Sequence, residues 1–85
     1  MDRIPNSEDI ANEIIRIQNE ARSQGEKKVQ INAGELHRRL GGYPGWNHRM
    51  PLVCHVMDSF LTRRDEIIYA PPKGKGASKT NLYYL

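Results

Sequence analysis

Lys73, Lys75 and Lys79 are threaded between Gly74 and Gly76, with Ser78 and Thr80 in the same run. Glycine lets a backbone approach a bulky anion, ammonium groups neutralise it and hydroxyls donate to its oxygens, so this run has the chemistry of a phosphate contact. The same composition also suits a solvated loop tip, where lysines keep strand edges from pairing with other chains. A second cluster, Asn47-His48-Arg49, stands where a helix opens. An Arg there can take a phosphate at the helix N-terminus or pair bidentately with guanine, and Asn can pair with adenine or cap the helix. Further along, His55 shares a polar stripe with Ser59 and Thr62, interrupted by Asp58. Asp58 repels phosphates; it can accept from cytosine, pair with Arg38 or Arg39, or belong to a protein interface. Arg38 and Arg39 suit either a backbone phosphate or a solvated face. Tyr43, Pro44 and Trp46 either stack on a base or close a core edge.

Other chemistries fit poorly. Gly74–Thr80 superficially suggests a phosphate-binding P-loop, but Ser78 stands where that motif needs glycine before Lys79-Thr80, and a strand pattern follows instead of a helix. Cys54 and His55 are adjacent on a helix and point about 100° apart, which suits tetrahedral zinc poorly, and no CxxC or HxxxH spacing brings in His37 or His48. A His–Asn metal-finger nuclease needs its first His beside a hairpin, whereas His37 falls on a helix. Glu35 reads as a cap partner and Asp65-Glu66 as the acidic start of a strand. No catalytic residue, metal or cofactor is expected, and the protein is not expected to be an enzyme.

The elements that position these residues follow from periodicity. Ser7 with Glu8 and Asp9 reads as a helix start, and Ile10, Ile14, Ile17 and Ala21 form a helical stripe up to Gly25, predicting a helix over 7–24. That stripe packs on the third helix in preference to a twin copy, because the chain otherwise lacks a core. Lys28–Asn32 alternates polar and apolar, a strand with Val29 and Ile31 inward. Asn32 and Glu35 form a capping-box pattern opening a helix over 33–40. After the breakers of 41–48, a third helix is predicted over 49–62, with Val53, Val56, Met57 and Phe60 inward. Glu66–Ala70 and Thr80–Leu85 have strand propensity and flank the basic loop as a long hairpin.

The chain's 85 residues, 38% of them hydrophobic, allow a single domain over 1–85 with one lean core and no large enclosed cavity. No stretch approaches the roughly 18–20 apolar residues of a membrane span. Met1–Ser7 has no apolar run of a signal peptide, and the lone Cys54 fits a reducing compartment, so a cytoplasmic location is expected. The net charge of +3 conceals −3 over residues 1–26 and +6 over residues 27–85. A basic segment of that kind attracts polyanions.

The order helix, strand, helix, turn, helix, strand, basic loop, strand resembles a winged helix-turn-helix domain over nearly the whole chain. The turn between the second and third helices is longer than is common in that family. The resemblance implies an α+β fold, a third helix in the DNA major groove and a hairpin "wing" on the neighbouring backbone, hence a cytoplasmic DNA-binding protein acting in transcription regulation. Its expected phosphate contacts are Lys73, Lys75, Lys79, Ser78, Arg38 and Arg39, and its groove contacts Asn47, His48, Arg49 and His55. About five engaged phosphates would give a log–log salt slope near −4 to −5. The runs Gly41–Gly45 and Asn47–Pro51, then Asp65-Glu66-Ile67 and Tyr69, with Pro71–Gly74 and Gly76-Ala77-Ser78, are also similar to a segment of small uncharacterised prokaryotic proteins, which implies a prokaryotic source and no mechanism. The alternative is a protein-interaction module, adaptor or homodimer, using Asp58 and the acid-rich first helix; RNA binding through the wing and Trp46 is a third, lesser reading.

Overall fold

The first helix, α1 (Ser7–Ser23), opens on a capping box one residue before the expected cap. Asn6 Oδ1 accepts from the Asp9 N–H at 2.8 Å, and Asp9 Oδ2 accepts from the Asn6 N–H at 3.1 Å. The reciprocal pair needs an acid three residues after the cap. Asn6 has Asp9 there, whereas Ser7 has Ile10, so Ser7 is helical. The helix stops where Gly25, at φ +83°, donates to Arg22 O and Glu26 donates to Ala21 O. Only glycine adopts that left-handed turn without strain.

This computed structural model describes residues 6–41, 49–72 and 76–85. After α1 come β1 (Lys28–Asn32), α2 (Ala33–Leu40), α3 (Met50–Ser59), β2 (Glu66–Tyr69) and β3 (Thr80–Tyr84). The class is α+β, with three helices and a small antiparallel sheet, as expected. The strand order is β1-β3-β2, so the last strand is central. β1 pairs with β3 from Lys28↔Tyr84 to Asn32↔Thr80; β2 pairs on its other side and shifts register between Ile67 and Tyr69.

The core lies among the three helices and the inward residues of β1 and β3. Ile10, Ile14, Leu36, Val53, Cys54, Met57 and Tyr83 are fully buried, with Ile31 beside them. On α1, Ile10 and Ile14 are in this core, with Ala11 and Ile17 partly buried against it, and the helix packs on α3 and α2. α3 is shorter than predicted. Thr62 is drawn out of the helix by Asp65, whose Oδ2 accepts from both the Thr62 N–H at 2.8 Å and its hydroxyl at 3.1 Å. Among the described residues no helix is long and apolar enough to cross a membrane.

Candidate nucleic-acid interface

The limb that returns from the basic loop, residues 76–79, is fastened to the first turn of α2. The Ala33 N–H donates to Lys79 O at 2.8 Å, and the Gly34 N–H to Ala77 O at 2.9 Å. Asn32 completes the arrangement: its Oδ1 caps the Glu35 N–H at 3.1 Å, and its Nδ2 donates to Thr80 Oγ1 at 3.1 Å. These are donors that a helix start leaves without intrahelical partners, so the limb takes the place an anion would otherwise occupy. The contact is close enough to require glycine. A Cβ on Gly34 would lie 3.0 Å from Ala77 O and 3.2 Å from Ala77 Cβ. On the other side the Cys54 thiol reaches Gly76 O at 3.5 Å, so the base of the loop also rests on α3.

Lys79 is the main correction to the sequence reading. Expected among the phosphate contacts, it is instead buried, and its Nζ lies 2.9 Å from Asp58 Oδ1. The cause is strand alternation, which turns Lys79 to the same side as Asn81 and Tyr83, both fully buried. Its ammonium lies under α3, and the Asp58 carboxylate supplies the counter-charge. Two expectations therefore fall together: Lys79 does not face a phosphate, and Asp58 is not paired with Arg38 or Arg39. The Asn81 Nδ2 also donates to Asp58 Oδ1 at 3.2 Å and to the Tyr83 hydroxyl at 3.1 Å, and that hydroxyl donates to Met57 O at 2.7 Å. This chain of polar groups ties the last turn of α3 to β3. Burial pushes the Tyr83 phenol up to about 12, with the Asp58 and Asp65 charges adding to it and the Asn81 hydrogen bond opposing.

At the other end of α3, Arg49 occupies the N-cap position without a side-chain cap of its own. Its N–H instead donates to Nε2 of the fully buried His37 at 2.7 Å. Sequence reading weighed His37 only as a metal ligand; its place on α2, one residue inside the exposed Arg38, was the available signal. His55, Asp58 and Ser59 are exposed on α3, as expected, together with Pro51; Thr62, expected on the same stripe, lies beyond the helix end, and the Arg49 side chain is exposed at its start.

Arg38 is exposed on α2. Arg39 diverges from it. It reaches Glu13 on α1 at 3.8 Å and borders an open groove of about 190 Å³ with Ile17, Glu35 and Leu36. The Arg16 hydrogen bond holds the Glu13 carboxyl below its ordinary value against the opposing effect of burial, and the Arg16 and Arg39 charges add to it. Ser78 is exposed on the returning limb, where its carbonyl accepts from the Thr80 hydroxyl at 3.0 Å. Asn47, His48, Lys73 and Lys75, with Tyr43, Pro44 and Trp46, lie outside the described residues. Among the described residues no cluster of three His, Cys, Asp or Glu side chains could hold a metal ion.

Comparison of the chain with family models, curated proteins and solved structures returns no match.

Proposed function

We propose that this chain binds double-stranded DNA without catalysis, in the manner of a winged-helix module. The observation that carries the reading is the element order α1-β1-α2-α3-β2-β3 with the strand order β1-β3-β2, in which α3 keeps one polar face exposed and is followed by the two strands that flank the basic run in sequence. On this reading Arg49 and His55 meet the groove with Asn47 and His48, and Arg38, Lys73 and Lys75 meet phosphates with help from Ser78. Asp58, the main internal objection, is offset by Lys79 at 2.9 Å and repels an approaching backbone less than a free carboxylate would. The alternative of a protein-interaction module draws less on these acids, since Asp58 is engaged by Lys79 and Asn81 and Glu13 and Glu20 on α1 are bonded to Arg16.

A salt titration with a short duplex tests this. With Lys79 withdrawn and Arg39 drawn toward α1, about three charged phosphate contacts remain, for a log–log slope near −2.7. Lys75→Ala weakens binding to all sequences alike, while Arg49→Ala changes the preference among them. Absence of binding at low salt, or a slope near zero, overturns the reading.

A further inference from the structure

α3 starts without the devices that usually fix a helix end. Arg49 at its N-cap makes no side-chain cap, and the first turn, Met50-Pro51-Leu52-Val53, holds no acid and, at Pro51, no N–H. The tie comes from another helix. His37, in the last turn of α2, is fully buried, and its Nε2 accepts from the Arg49 N–H at 2.7 Å. A neutral imidazole that accepts through Nε2 carries its hydrogen on Nδ1, so this one bond fixes ring orientation, tautomer and the backbone at Arg49 together.

The same helix holds the base of the basic loop. Gly34, about one turn before His37 and buried like it, donates its N–H to Ala77 O at 2.9 Å. On α3 the Cys54 thiol reaches Gly76 O at 3.5 Å. α2, α3 and the returning limb are therefore joined pairwise, through His37 and Arg49, Cys54 and Gly76, and Gly34 and Ala77. In such a closed triangle the start of α3 does not turn against the loop base unless one of the three contacts breaks.

We infer that His37 is a positioning residue for sequence choice, an inference that rests on the DNA-binding reading above. Being fully buried, His37 does not touch DNA itself. Acting through the Arg49 backbone, it sets the direction from which the Arg49 side chain meets the groove. Bidentate pairing of an arginine with guanine depends on a fixed fork geometry, whereas a charge on a phosphate accepts a range of approaches. Loss of the His37 acceptor should therefore relax the preference among duplexes while the phosphate contacts, and with them the salt slope, stay in place.

The test compares His37→Leu, which removes the acceptor at similar volume, with His37→Gln, whose Oε1 reaches the place of Nε2. Selection of a randomised duplex pool on the wild-type protein supplies a preferred and a rejected duplex, and each variant's affinity ratio for the two is measured with its salt slope. His37→Leu should lower the ratio by about tenfold, as Arg49→Ala does, at an unchanged slope. His37→Gln should keep most of the ratio, and in the Arg49→Ala background His37→Leu should lower it no further. A residue that only supports the fold would instead weaken binding to both duplexes alike. Circular dichroism verifies that each variant is folded; should His37→Leu not fold, His37→Met, longer and more adaptable, takes its place. Failure of the wild type to bind duplex overturns the DNA-binding reading and this inference with it. This inference alone is overturned if the wild type binds all duplexes alike, if Arg49→Ala relaxes the preference and His37→Leu does not, if His37→Gln loses as much as His37→Leu, or if the two substitutions add.

Discussion

Replacing Asp58 with alanine probes the part of the molecule where charge and packing meet. The substitution leaves the Lys79 ammonium, whose side chain is 2% exposed, without its carboxylate, and removes one acceptor of the Asn81 amide. Removing one partner of a fully buried ion pair costs about 3–5 kcal/mol. Asp58 is 43% exposed, so water reaches part of the vacated space and the cost falls below that range, to about 2–3 kcal/mol. A domain of this size has roughly 5 kcal/mol in total, so the variant should lose about half its stability. With a urea m-value of about 1 kcal/mol/M, the unfolding midpoint drops by about 2–3 M. Lys79→Met removes the buried charge while keeping a side chain of similar length, and should cost less than about 1 kcal/mol. The double variant should then recover most of what Asp58→Ala loses, with a coupling energy of about 1–2 kcal/mol in the cycle. Lys79→Met should also leave the salt slope of DNA binding unchanged. An Asp58→Ala midpoint matching the wild type, or a double variant no better than the single one, would refute the buried-pair argument; a shallower slope for Lys79→Met would return Lys79 to the phosphate contacts.

Gly34→Ala forces a Cβ to within 3.0 Å of Ala77 O, so urea unfolding should show a loss of about 1–3 kcal/mol, and the amides of 76–79 should exchange faster. Tyr83 is held neutral by burial, so its contribution is intact below pH 10.0 and is lost as pH rises toward about 12, a decline of about 2–3 kcal/mol that Tyr83→Phe should not show. Asp65 behaves oppositely. Burial raises its carboxyl, but donors from Tyr84 and Thr62 and the Arg64 charge outweigh that and hold it below its ordinary 3.8. Asp65→Asn should therefore cost about 1–2 kcal/mol at neutral pH, and the gap to wild type should close as pH falls below 3.8.

Periodicity made the order of elements legible, because Ile10, Ile14 and Ala21 on α1, and Val53, Val56 and Met57 on α3, repeat at helical spacing and are buried as that spacing requires. Lys79 was misread because composition was weighed above alternation: Lys79, Asn81 and Tyr83 lie two apart, and a buried Tyr83 commits the other two to its side of the strand. The Asp65 bracket was illegible, since its partner Tyr84 is 19 positions away. The exposure of β2, where Ile67, Ile68 and Tyr69 are each about half exposed, was equally hidden. Propensity identifies a strand but does not say whether a helix covers it.

The placement of β3 between β1 and β2 has a consequence for how the chain acquires its shape. Asn32 and Thr80, joined by a hydrogen bond, stand 48 positions apart, and the two outer strands never touch. During synthesis β1 therefore waits, unpaired, until β3 has left the ribosome. Helical turns can form on the way, but the ladder closes only when its keystone arrives, so such distant pairing should make folding a late and comparatively slow event.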